Sequence, residues 1–430
     1  MRHRPHETGR AVARPRITGH AVACPRITGQ AVARPGITLA LLAALFLVVA
    51  AGPFSAGAAS QAPDEGAKPK NPLAGDGMWI WYVSRSSRGK VGRIANKAHR
   101  FGIETVLVKS ADGSKYWKQF SAGLVSALKS RGLNVCAWQF VYGRGAAKEA
   151  RAGAAAVGRG ADCLVIDAEG HYEGRYPQAS TYMATLRSLV GSDYPLALSS
   201  FPYVDYHPAF PYSVFLGPGG AQYNLPQLYW KTIGTSVDTG FVHTWVWNRA
   251  YGRPILPLGQ VYLNPKPKQI KRFRSLALAH GMEGVSWWNW QEARKRHWKA
   301  VGAPVGPAPG YTPYNSYPFL RVGSKGDFVA WAQQLLAGAG YSTPINGYYQ
   351  GPTQSAVYSY QAAHALPQNG NLDVPTWDLL LNENPLPVRW TRGGAVAASQ
   401  DGRLTLPPPR SAKLPSIRDE IPPPSKRDRR

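Results

Sequence analysis

Between residues 74 and 300, short runs of β-branched and aromatic residues recur at nearly even intervals. They begin at Met78 (MWIWYV), Glu104 (ETVLVKS), Leu133 (LNVCAWQF), Asp162 (DCLVIDAE), Pro195 (PLALSSF), Leu225 (LPQLYW), Ile255 (ILPLGQVY) and Glu283 (EGVSWWNW), spaced 26 to 33 residues apart. Such runs read as strands, and each interval has room for one helix, as in GLVSALKSRG (Gly123–Gly132), which stops at a glycine. Strands alternating with helices imply a parallel sheet, and eight such units predict an α/β fold closed into a (β/α)8 TIM barrel. The alternative, a doubly wound open sheet, lacks a GxGxxG after its first strand.

The pattern changes on both flanks. Residues 1–36 carry a ten-residue repeat (TGRAVARPRI and two variants) with a proline in each copy, which argues against a helix. The apolar run Thr38–Ala51 follows, then small residues. A basic segment, an apolar run and Ala56-Gly57-Ala58 fit a signal peptide over 1–58; a membrane anchor is the alternative, although 14 helical residues span only about 21 Å. Residues 59–73 read as a linker leading to the barrel at 74–300, and the Pro/Gly-rich stretch 301–317 as a second linker. Over 318–384 the period becomes helical, with Val329, Ala332, Leu335 and Leu336 on one face and Val357, Tyr360 and His364 on another. Residues 385–430 form a basic, Pro-rich tail.

Charge narrows the partners. The 430-residue chain has 50 basic and 24 acidic side chains, a formal net charge of +26. Nearly half the excess lies in the two flanks, and residues 319–388 are slightly acidic. A secreted protein with this excess suits an anionic extracellular polymer, such as one of a cell wall, rather than nucleic acid, and meets a membrane only if the N-terminal segment stays uncleaved. No HExxH, GxSxG, P-loop or CxxC is present, and no cofactor or metal is expected. Cys136 and Cys163 fall on adjacent predicted strands; they could pair, but two buried free thiols is the plainer expectation.

Barrel chemistry belongs at the carboxyl ends of the strands. Those ends carry Tyr82, Lys109, Trp138, Gln139, Asp167, Glu169, Tyr229, Gln260, Trp287 and Asn289. Aromatic faces beside carboxylates suit a carbohydrate. Asp167 and Glu169, two apart on a strand, share one face, and neighbouring carboxylates can keep one of the pair protonated as a general acid.

DCLVIDAE resembles the DGxDxDxE strand of chitinase-type barrels, with Asp162, Asp167 and Glu169 at matching positions and Val165 in place of the middle aspartate. The DxE also resembles that of muramidase-type barrels, whose first-strand aspartate MWIWYV lacks. The resemblance implies that Glu169 is the acid and that Asp167 orients the substrate's N-acetyl group. It also implies that Tyr229 hydrogen-bonds the acetamide and that Trp287 floors the cleavage subsite. Trp138, Gln139, Tyr82, Gln260 and Asn289 are the other candidate substrate contacts. Residues from Leu320 resemble a small three-helix peptidoglycan-binding domain, through Leu320, Gly323, Gly326, Val329, Gln334, Leu335, Gly340, Tyr341, Gly347, Thr353, Ala356, Val357, Gln361, Thr376 and Trp377. Two functions remain open: a secreted hydrolase of peptidoglycan or a related N-acetylated glycan, or a non-catalytic wall-binding protein with a degenerate barrel.

Overall fold

The computed structural model describes residues 71–386 and 388; the apolar run, the N-terminal repeat and nearly all of the basic tail lie outside them. Strands β1 (Gly75–Ile80), β2 (Ile103–Asp112), β4 (Asn134–Val141), β5 (Cys163–Ala168), β6 (Leu196–Ser200), β7 (Tyr223–Leu228), β8 (Leu258–Gln260) and β9 (Gly284–Trp288) pair in parallel. β9 then pairs with β1, closing an eight-stranded barrel. A further short strand, β3 (Lys115–Tyr116), folds back antiparallel on the end of β2.

Helices cover the outside: α1 (Val91–Arg100), α2 (Ala122–Lys129), α3 (Ala146–Val157), α4 (Tyr176–Val190), short α5 (Tyr212–Phe215) and α6 (Trp230–Ile233), α7 (Val237–Asn248), α8 (Pro267–Ala279) and α9 (Lys295–Val301). Ser121 and Ser236 start α2 and α7 by accepting from the backbone N–H three residues on. Every barrel strand is buried on two faces, which is why its sequence reads as a nearly continuous apolar run. Along β5, Leu164, Ile166 and Ala168 face the helices, while Cys163 and Val165 fill the lumen.

Cys136 and Cys163 are a directly registered pair on β4 and β5 and form a disulfide in the lumen. This corrects the expectation of free thiols: parallel register puts the two side chains on the same face at the same height. Replacing both by alanine is expected to lower the unfolding free energy by about 3 kcal/mol, measured by urea denaturation, because the bridge closes a loop between residues 27 apart.

The C-terminal region contributes α10 (Asp327–Gly338), α11 (Gly351–Ala363) and α12 (Val374–Glu383). Asp373 caps α12 through Thr376 N. Gln333 and Gln361 tie down the turns before α11 and α12, each accepting from two backbone N–H groups of its turn. α10 is buried on both faces. Val329, Ala332, Leu335 and Leu336 are all buried, as the periodicity predicts; Phe328 and Trp331 pack on the barrel, Phe328 stacking at 5.2 Å from Tyr251. The Trp331 indole donates to Ala250 O at 2.7 Å. The stretch read as a linker also lies against the barrel: Ala308 N donates to Ser275 O, and Tyr311 OH bonds His280.

Asp327 anchors this seat. It is fully buried and accepts from Ser213 N (2.9 Å), Ser213 Oγ (2.6 Å) and Tyr251 OH (2.8 Å). Burial pushes its carboxyl up to about 6, against the opposing pull of those hydrogen bonds. A folded-state value above the unfolded one means that the stabilisation is complete below about pH 4 and is lost as pH rises through about 6. The two-unit gap corresponds to about 3 kcal/mol. Urea midpoints at pH 4 and pH 7 are expected to differ accordingly, and Asp327→Asn to flatten the difference.

Candidate active site

Asp167 and Glu169 both face the mouth of the barrel, at 5% and 6% exposure. They are held by a residue that the sequence did not single out. Gln227, on β7 across the mouth, donates from Nε2 to Asp167 Oδ1 (2.9 Å) and to Glu169 Oε1 (3.2 Å). One amide nitrogen thus aims both carboxylates at the same region. The alternation of β7 places Tyr223, Leu225, Gln227 and Tyr229 on one face, so the signal was present as parity, but glutamine in an apolar strand has no motif to mark it.

Tyr229 stands beside the pair, with its ring 5.3 Å from that of Tyr262. Burial, reinforced by Tyr262 and by the charges of Asp167 and Glu169, raises its phenol well above 10. It therefore remains a neutral hydroxyl, able to donate a hydrogen bond, at any physiological pH. Ser199, registered with Asp167 on β6, keeps its Oγ in the lumen without a hydrogen-bond partner among the described residues.

Below and beside the carboxylates, Trp79, Trp81, Trp138 and Trp288 form one cluster with centroids 5.3 to 5.7 Å apart. Over it sits the ammonium of Lys109, 4.4, 4.7 and 4.8 Å from the Trp81, Trp117 and Trp138 rings. Lys109 also pairs with Asp112 at 3.2 Å, and Asp112 accepts from Tyr142 OH at 2.7 Å. Lys109 is 1% exposed, so this cation is held by ring faces and one carboxylate rather than by solvent.

Several candidates stand elsewhere than expected. Trp287 points out of the lumen: it packs on Phe273 of α8, and its indole donates to Asp76 at 2.9 Å. In the pair Trp287-Trp288, the second residue faces the lumen, because successive side chains alternate. Gln139 is likewise on the outer face, donating to Gly113 O and Glu149 O and accepting from Tyr182. Gln260 is sealed, its carbonyl oxygen holding Lys231 N at 2.7 Å. Asn289 caps the turn after β9 by accepting from Gln291 N and Glu292 N. Trp138 faces the lumen but is 1% exposed, with its indole donating to Ile80 O, so its ring is packed rather than open to a sugar. Tyr82 does lie at the rim, stacked between Trp81 and Trp117 and partly exposed. The matched Asp162 lies at the opposite end of β5, bonded to Val135 N and Lys129. Among the described residues, no group of three or more His, Cys, Asp or Glu could hold a metal ion.

Comparisons with known proteins divide along the same lines as the fold. No curated protein matches the sequence. The structure is similar to the Bacillus cereus spore cortex-lytic enzyme SleL, at 10% identity and TM-score 0.42, covering 55% of this chain and 75% of that one. It is also similar to a class V chitinase from Pseudomonas fluorescens Pf-5 (10%, TM-score 0.40, 53% and 98%). A dihydrodipicolinate synthase from Rhodopseudomonas palustris is a further neighbour (14%, TM-score 0.32, 51% and 72%). At such identities the likeness concerns the barrel and not its chemistry. Residues 325–380 match the family described as "Putative peptidoglycan binding domain". Helices α10 to α12 are thus a domain of the peptidoglycan-binding family, seated on a (β/α)8 barrel.

Proposed function

We propose that the protein is a cell-wall glycoside hydrolase that cleaves an N-acetylated glycan, most directly peptidoglycan, and that its C-terminal domain holds it on that substrate. The observation that carries this reading is the Asp167–Gln227–Glu169 arrangement at the strand ends of a barrel fused to a peptidoglycan-binding-family domain. Glu169 protonates the glycosidic oxygen as the bond to the anomeric carbon breaks. The substrate's own acetamide oxygen attacks that carbon, Asp167 orients the acetamide, and Tyr229 donates a hydrogen bond to it. Water then opens the cyclic intermediate, with Glu169 now taking the proton. The partly exposed Trp81 and Tyr82 at the rim supply stacking faces. Tethering on the wall raises the local substrate concentration. The apolar run at Thr38–Ala51 would direct export, consistent with wall association.

One feature favours a non-catalytic wall binder. Val165, in the lumen two residues before Asp167, stands where the chitinase-type motif has an aspartate. The full chain incubated with purified peptidoglycan and with N-acetylglucosamine oligomers decides between the two. Release of reducing sugar supports the hydrolase; sedimentation with the wall but no release, on either substrate, leaves the binder.

A further inference from the structure

Part of the positive excess of the barrel lies in a place that the glycan reading does not use. Between Trp81 and Ile103 there are six Lys or Arg and no acidic residue. In the fold this stretch becomes the loop after β1 and helix α1, and it walls a cavity of about 550 Å³. Arg88, Arg93, Lys97 and Arg100 line the cavity with Asn96 and Phe101, and no carboxylate contributes to it. Arg93, Asn96, Lys97 and Arg100 fall at helical spacing, so they share one face and span about 10 Å along the axis. No carboxylate of the described residues pairs with any of the four cations. Elsewhere on the barrel, Arg272 pairs with Asp238 and Arg274 with Asp76.

The cavity is built rather than incidental. The ammonium of Lys97 sits over the Trp298 ring of α9 at 4.0 Å and near the Trp290 ring at 5.1 Å, which holds this side chain in place at the cavity. Burial there depresses its ammonium, so a nearby anion would offset that cost. Ser87 and Arg88 both adopt left-handed backbone (φ 49° and 59°), which non-glycine residues rarely hold without constraint. The constraint is Ser86, which is buried, accepts from Gln291 Nε2 at 2.7 Å and donates to Tyr82 O. Tyr82 and Gln291 belong to the loops after β1 and β9, so the Ser87–Arg88 end of the cavity lies on the side of the barrel mouth, and the rest follows α1 down the outside of the barrel.

We infer that this cavity binds a linear phosphodiester polymer of the cell wall, clasping it along α1. Three guanidinium forks and one ammonium suit phosphate oxygens, which arginine contacts bidentately, and the spacing suits successive charges on a chain rather than one ion. The choice of a wall polymer rests on the proposed wall function; the anion site itself does not.

The test uses the full chain and a short synthetic glycerol-phosphate oligomer, with binding read by quenching of tryptophan fluorescence and by calorimetry. Arg93→Glu/Arg100→Glu is expected to weaken binding at least tenfold and to flatten its salt dependence. Lys268→Glu/Lys271→Glu, exposed on α8 and equal in charge change, is expected to leave both as in wild type. Retention on walls stripped of phosphodiester polymer by acid should equal that of the double arginine variant on intact walls. Unchanged oligomer binding in the arginine variant, or equal losses in both variants, overturns the site. Binding of duplex DNA as tight as that of the oligomer, with the same losses, overturns the wall-polymer assignment. Glycan cleavage is assayed separately: oligomer binding without cleavage counts against the hydrolase alone, and cleavage without oligomer binding counts against this site alone.

Discussion

Glu169→Gln is expected to lower glycan cleavage by about 10²- to 10⁴-fold, the range a positioned general acid contributes. The substitution keeps shape and keeps an oxygen for Gln227 Nε2, so the mouth should stay folded and the thermal midpoint should change little. What is lost is a proton of suitable acidity at the leaving oxygen, an interaction that belongs to the transition state. The loss should therefore appear in kcat with KM nearly unchanged. Sedimentation with intact wall should be the same as for wild type, because on the proposed reading binding rests on residues 325–380 and on the basic surface rather than on Glu169. Equal rates in the two proteins would remove Glu169 from the mechanism.

Trp331→Ala is expected to cost about 3–5 kcal/mol and to loosen the C-terminal domain from the barrel. The ring is 1% exposed and wedged at the junction, where it also satisfies Ala250 O, a carbonyl that would be left buried without it. The loss should fall on the seat. Urea unfolding should change from one transition to two, with new proteolytic cleavage between residues 301 and 326. Trp377, whose indole donates to Pro318 O inside the domain, is the contrast: Trp377→Ala should unfold the three helices themselves. A single, unshifted transition for Trp331→Ala would mean that the junction contributes nothing to stability.

The even spacing of apolar runs sufficed for the barrel, because burial on two faces demands such runs and a crossover helix demands the interval between them. The paired carboxylates were legible for a related reason: residues two apart on a strand share a face whatever the surroundings. Which face was not legible wherever both neighbours were alike. Trp287 and Trp288 are chemically identical, and only the phase of β9 in the closed barrel sends the first outward to Phe273 and the second into the lumen. Gln139 was misplaced by the same one-residue ambiguity. Gln227 was invisible because its importance is a distance to two residues some sixty positions earlier in the chain.

The sequence by itself determined the eight-unit barrel, the DxE at the end of its fourth repeating unit, and the C-terminal helical domain. Each is written in local periodicity or in a contiguous motif. Tertiary structure alone decided the Cys136–Cys163 bridge, the seating of Asp327 and Trp331, and the docking of Lys97 of α1 on Trp298 of α9. These depend on strand register and helix docking, which bring together side chains far apart in the chain, and no local pattern carries that information.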